Sequence, residues 1–172
     1  MKKLFALLLA LGLLFSFAMA EDEVVELSWD SVSEETKAAG EFQQVAFQDP
    51  AVTLISWVPA NMAAQDVSSL AEQGVVAAFA TADEAYAITV SALNVSGLEE
   101  YAAALGIMDS AKLVMVNDLQ AIAAEVPDQD IDMLIVPITE TTILVYAFTP
   151  LNGDEEWDET KGVIVSSIQL AQ

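Results

Sequence analysis

Residues 131–150 read IDMLIVPITETTILVYAFTP, two β-branched and aromatic runs separated by the polar residues Thr139, Glu140 and Thr141. Strong strand formers on both sides of a polar turn predict a β-hairpin. Side chains alternate along a strand, so Ile143, Val145 and Ala147 point to one face and Leu144, Tyr146 and Phe148 to the other. Both faces are apolar, and a sheet buried on two sides needs a layer of structure above and below it. The expected fold class is therefore α+β: an antiparallel sheet of about six to nine strands covered by helices on both faces, an α/β/α sandwich.

Outward from this hairpin the chain supplies further strands and helices. Leu113 to Val116 and Leu119 to Val126 flank Asn117 and Asp118, two residues that tolerate positive φ in a tight hairpin turn. Pro127 and Asp128 then turn the chain into the central hairpin, where Pro137 argues for an edge strand or a bulge because it cannot donate to a ladder. Val75 to Ala80 and Ala85 to Leu93 form another strand pair, with Tyr86, Ile88 and Val90 on one face and Ala85, Ala87 and Thr89 on the other. Ser96 and Glu99 have the spacing of a capping box, opening a helix with Leu98, Tyr101, Ala102 and Leu105 on one stripe and Gly106 at its end.

The first third reads similarly. Val24 to Trp29 is a short strand, and Ser31 with Glu34 caps a helix that Gly40 closes. Phe42 to Phe47 and Val52 to Val58 are strands joined by the Asp49, Pro50 turn, the second ending at Pro59. Asn61 caps an expected helix carrying Ala63, Val67, Leu70 and Ala71, stopped by Gly74. After Asn152 and Gly153, the acids Asp154, Glu155 and Glu156 sit where a helix N-terminus favours negative charge, and Trp157, Lys161, Ile164 and Ile168 follow at helical offsets. Gly162 opens an alternative, a strand from Gly162 to Leu170.

At the start, Lys2 and Lys3, the apolar run Leu4 to Phe17 and the small residues Ala18, Met19 and Ala20 have the form of a secretory signal peptide cleaved before Glu21. Cleavage there takes 20 of the 172 residues and two of the five lysines but none of the 27 acids, so the formal charge moves from -22 to -24. Residues 1–20 are thus a leader, 21–40 an N-terminal strand and helix, and 41–172 the main α+β domain. The expected location is extracytoplasmic or secreted, with no membrane association once the leader is removed. With no cysteine in the chain, packing and not disulfides must hold the exported domain together.

Composition excludes whole classes of chemistry. The chain has no cysteine and no histidine, and every basic residue is a lysine. There is accordingly no thiolate nucleophile, no Cys/His zinc site, no Ser-His-Asp triad and no bidentate arginine clamp. A formal charge of -22 repels nucleic acid and anionic membranes. Hydrophobic residues at 55% and a mean hydropathy of +0.47 argue for a packed core and against disorder.

The order of elements resembles the PsbP-like superfamily. The likeness is carried by the hairpin from Phe42 to Val58 ending at Pro59, a middle hairpin, the helix start Leu98, Glu99, Glu100, Tyr101, and the Asn117, Asp118 turn. The strand closing on Phe148, Thr149, Pro150 and the terminal Ser167, Ile168 complete it, over roughly residues 41–170. The resemblance implies an antiparallel sheet between helical layers and a small exported bacterial binding or accessory module, with no shared catalytic set and no cofactor. Nothing in the residues marks a photosystem partner.

Few constellations bear chemistry. Asp128, Asp130 and Asp132 share one face if their segment is extended, which makes them the candidate metal ligands for a weakly held divalent cation. Met133 stands where an EF-hand loop needs glycine and Thr139 where it needs glutamate, so that loop type is excluded. The cluster Asp154, Glu155, Glu156, Asp158 and Glu159 reads first as a helix-dipole and solubility feature. Trp29, Trp57 and Trp157 fit a sugar-stacking platform or, more simply, the core. Lys37, Lys112 and Lys161 stand in no S-x-x-K arrangement, and Ser96 of the Asn94, Val95, Ser96 sequon already has a use as a cap. Two function classes follow. The first is a non-catalytic exported module that binds a protein or envelope component through a sheet edge or helix face; the second is a small carboxylate-dependent hydrolase.

Overall fold

The computed structural model describes residues 24–48 and 51–171. The expected leader, the acidic stretch Glu21 to Glu23 and the turn expected at Asp49 and Pro50 lie outside the described residues. The protein is a mixed α+β chain dominated by strands. In order it forms β1 (Val25–Leu27), α1 (Glu34–Ala38), β2 (Gly40–Gln48), β3 (Ala51–Pro59), β4 (Met62–Ala64), β5 (Val75–Thr81) and β6 (Ala87–Asn94). Then follow α2 (Leu98–Leu105), β7 (Lys112–Val116), β8 (Leu119–Val126), β9 (Ile131–Pro137), β10 (Thr142–Thr149), α3 (Glu155–Ser166) and β11 (Gln169–Leu170). Short 3-10 segments occupy Trp29–Ser31, Ser68–Gln73 and Pro127–Gln129.

The strands make two sheets, one of eight strands in the order β1-β7-β8-β9-β10-β6-β5-β4 and one of three in the order β11-β3-β2. The central hairpin β9–β10 sits in the middle of the large sheet, with Val145 opposite Ile135 and Tyr146 opposite Leu134. Its two-sided burial follows. Leu144, Tyr146 and Phe148 enter one apolar cluster and Ile143 and Val145 the other. Every pairing in the large sheet is antiparallel except β1 with β7, where Val25 lies beside Val114 in a parallel register.

The first cluster is built between sheets as well as under a helix. Val45, Leu54 and Val58 of the small sheet and Trp157 and Ile164 of α3 pack with Val90, Leu134 and Phe148 of the large one. A second sheet therefore stands where a purely helical layer was expected. The other face receives Ala102 of α2 and Ile107 just beyond it, against Ile122, Ile135 and Val145. Topology requires a crossing: β6 and β7 are separated by β10, β9 and β8, so the connection containing α2 has to pass over one face of the sheet, and it takes this one.

Ser33, and not Ser31, caps α1, its hydroxyl accepting the Thr36 N–H at 3.1 Å. Gly40 is the first residue of β2, and a Cβ there would strike the Val58 carbonyl and the Trp57 ring, so close packing explains the glycine. The expected helix after Asn61 is strand β4 followed by the Ser68–Gln73 turn; Leu70 is 37% exposed, so its helical spacing marks no buried stripe. Gly74 does end that turn, in the left-handed region at φ 82.

At α2 the N-cap is Gly97, which makes no side-chain cap, and Ser96 donates instead to Glu100 at 2.5 Å. Pro137 lies on an interior strand, but beyond the end of the β8 ladder, whose last pair on β9 is Ile122 with Ile135. Among the described residues no strand on that side needs its missing N–H. Residues after Asn152 form helix and then strand: α3 carries the expected acidic first turn, and β11 pairs with β3 after it.

Candidate functional site

A cleft of about 440 Å³ opens between the β3–β4 corner, the β5–β6 turn and the start of α3. Its walls include Asn61, Asp83, Tyr86, Asp154, Glu156 and Trp157, and among the described residues no basic side chain lines it. The β5–β6 turn is shaped locally: Asp83 accepts the Thr81 hydroxyl at 2.7 Å and the Ala85 N–H at 3.2 Å, while Glu84 takes φ 58. These contacts aim Tyr86 across the sheet end toward α3.

Tyr86 and Trp157 stack with ring centroids 4.8 Å apart and planes 22° apart. Trp157 itself is buried and anchored, its indole N–H donating to the Pro150 carbonyl at 2.8 Å. The Tyr86 hydroxyl donates to Asp154 Oδ2 at 2.8 Å. Asp154 uses its other oxygen to accept the Trp157 N–H at 2.9 Å, which makes it the N-cap of α3. Gly153 permits this geometry, since a Cβ there would run into the Trp157 side chain.

Electrostatics follow from these bonds. The Thr81 hydroxyl and then the Ala85 N–H hold the Asp83 carboxyl below its ordinary range. The Trp157 N–H and then the Tyr86 hydroxyl do the same for Asp154. The bond to Asp154 raises the Tyr86 phenol in return. The cleft thus keeps fixed negative charge beside an aromatic face down to acid pH.

The Asp128, Asp130, Asp132 segment is not extended. Asp128 lies in a 3-10 turn and Asp130 caps it at φ 57, so the premise of three carboxylates on one face fails. Asp130 Oδ1 accepts the Leu151 N–H at 3.1 Å, and Asp132 pairs with Lys161 at 3.2 Å. Among the described residues no three acidic side chains converge as metal ligands. The three tryptophans do not form one platform. Trp29 lies 6.3 Å from Trp57 near α1, whereas Trp157 stacks on Tyr86 and meets Phe148 edge-on. Trp57 and Trp157 are core residues.

Of the acidic cluster after Gly153, Asp154 and Glu156 face the cleft and Asp158 pairs with Lys161. Sequence spacing pointed to the cap but not to the cleft, because Tyr86 and Asp154 are 68 residues apart. Among the described residues no helix is long and apolar enough to cross a membrane. The chain matches no protein-family model and no curated protein sequence.

Proposed function

We propose that this protein is an exported, strongly acidic, non-catalytic binding module of PsbP-like type, its sheet lying between covering layers, and that it holds a cationic group of a protein or envelope component. The observation that supports this reading is the cleft beside Tyr86: an aromatic face and three carboxylates, with no lysine among the described residues that line it. An ammonium group finds there both charge complementarity and a ring to rest on. Asp83 and Asp154, whose proton affinities the cleft alters, are both pushed toward the ionised form, which suits holding a cation and does not suit donating a proton to a leaving group. That favours a binder over a carboxylate hydrolase.

The test is titration of the purified protein with tetralysine at low salt, read by tryptophan fluorescence. Asp83→Asn combined with Glu156→Gln is expected to weaken binding about tenfold, the scale of a lost charge pair. Unchanged affinity in that variant overturns the cleft as the site. Export is tested separately by intact mass of protein recovered outside the cytoplasm, expected to begin at Glu21; retained Met1 refutes it.

A further inference from the structure

The geometry points to β2 as a docking edge that takes up an extended, basic segment of another protein as an added strand. Each sheet end must leave one ladder of N–H and C=O groups unpaired, and natural proteins keep such edges short or guarded. Among the described residues, three of the four sheet ends obey this: β1 and β4 have three residues each and β11 has two. The fourth, β2, has nine.

Its pairing with β3 runs unbroken from Gly40 opposite Pro59 to Gln48 opposite Ala51, without a bulge to twist the edge away. Its sequence GEFQQVAFQ contains no proline and no lysine, and Glu41 is its single charge in a chain of formal charge -22. The devices that block strand addition are therefore missing where the edge is longest. Phe42, 45% exposed and set edge-on to Trp29 at 5.1 Å, offers an apolar contact beside the ladder. Strand addition supplies affinity through main-chain hydrogen bonds and leaves selection to side chains and field.

Charge decides the occupant. Two copies, each at -22, oppose pairing with one another, while the same field draws in a segment rich in lysine. This inference rests on the reading of the protein as a binder of cationic partners and adds where the backbone of that partner lies.

The experiment is amide hydrogen exchange of the full protein with a synthetic peptide of alternating lysine and valine, beside the same peptide N-methylated at alternate residues. The unmodified peptide is expected to slow exchange at alternate amides of β2 tenfold or more, with binding that weakens as salt rises; the N-methylated peptide is expected to do neither. Binding that protects only residues 81–86 and 154–160, or equal binding of the N-methylated peptide, overturns the edge and leaves the cationic reading standing. Failure of both peptides to bind overturns both. Protection of β2 in the protein alone, with a dimer in sedimentation, makes a second copy the occupant and also overturns the proposal.

Discussion

Asp132 on β9 and Lys161 on α3 form an ion pair at 3.2 Å that ties the helix to the central hairpin. Lys161 is only 8% exposed, and its remaining donors reach Asp158 at 2.9 Å and the Leu151 carbonyl at 2.9 Å. Breaking one partner of a buried charge is costly, but Asp158 keeps part of the compensation, so Asp132→Asn is expected to cost about 1–3 kcal/mol in chemical denaturation. Burial pulls the Lys161 ammonium down, yet Asp158 and Asp132 outweigh it and the net direction is up. A raised pKa means that this stability is fully present below the ordinary lysine value of about 10.4 and lost as pH rises through the higher folded value. Lys161→Met is expected to flatten that alkaline loss; an unchanged profile refutes the linkage.

Asn117 joins three segments through one amide. Its Oδ1 accepts the Trp29 N–H at 3.1 Å, and its Nδ2 donates to the Ser166 and Ile168 carbonyls at 2.9 Å each. It also sits at φ 51, where glycine is comfortable. Asn117→Gly keeps the turn and removes the bonds, whereas Asn117→Ala removes both. The glycine variant is expected to lose about 2–4 kcal/mol, from part-buried groups left unpaired, and the alanine variant more. Equal stability of Asn117→Gly and the parent protein shows that the bonds carry nothing.

On the α2 face, Ile107 is 1% exposed, while Leu105 is only half-buried. Ile107→Ala is expected to cost about 2–5 kcal/mol and Leu105→Ala less. Ser96→Ala, which removes no cap, is expected to fall within about 0.5 kcal/mol of the parent. A large loss at Ser96 combined with a small one at Ile107 reverses the order and removes the case for a docked α2.

Burial pushes the Tyr146 phenol up to about 12, with only a partial pull from the nearby Ser56 hydroxyl, and among the described residues the Tyr146 oxygen has no partner at regular hydrogen-bond geometry. The sign is that of any raised group: stability is intact below the unfolded value of about 10 and drains away toward the folded one. Ultraviolet titration of phenolate is expected to show this tyrosine ionising last, together with unfolding. Tyr146→Phe deletes an unpaired polar atom and is expected to be neutral or stabilising by up to about 1 kcal/mol. A marked destabilisation shows that the hydroxyl has a partner.

Self-repulsion among 27 acids predicts that salt raises the melting temperature, chiefly up to about 0.1 M, where the Debye length has shrunk to about 10 Å. Sodium, magnesium and calcium chloride at equal ionic strength are expected to act alike. A rise confined to calcium restores a cation site near Asp128, Asp130 and Asp132. A melting temperature unmoved by sodium removes the repulsion argument.

The central hairpin was legible because both of its faces are buried, so its strands carry an unbroken apolar signature. The Asn117, Asp118 turn and the acidic start of α3 were legible because their chemistry is local. The helix expected after Asn61 failed because Met62–Ala64 finds a ladder on β5, with Met62 opposite Thr81, and a pairing partner elsewhere in the chain outweighs helical spacing. The second sheet was hidden for a related reason: β2 and β3 read as one more hairpin, and nothing local in the sequence says that their neighbour is β11 and not a strand of the large sheet. The cleft was invisible to spacing, because its walls come from three corners brought together by the fold. Asp128, Asp130 and Asp132 share one face only in an extended segment, a condition that the left-handed turn at Asp130 does not meet, and Asp132 pairs with Lys161.

The pairing of β11 with β3 sets a direction for assembly. Gln169 lies opposite Ile55 and Leu170 opposite Leu54, and the Trp57 N–H donates to the Ser167 hydroxyl at 2.7 Å, a span of 110 residues. A chain made from its N-terminus has β3 long before it has the strand and the serine that complete it. Until residues 167–170 exist, one ladder of β3 stays open and the Trp57 amide has no acceptor. Closure of the small sheet therefore waits on residues 167–170, and their deletion is expected to leave an unfinished, protease-sensitive fold.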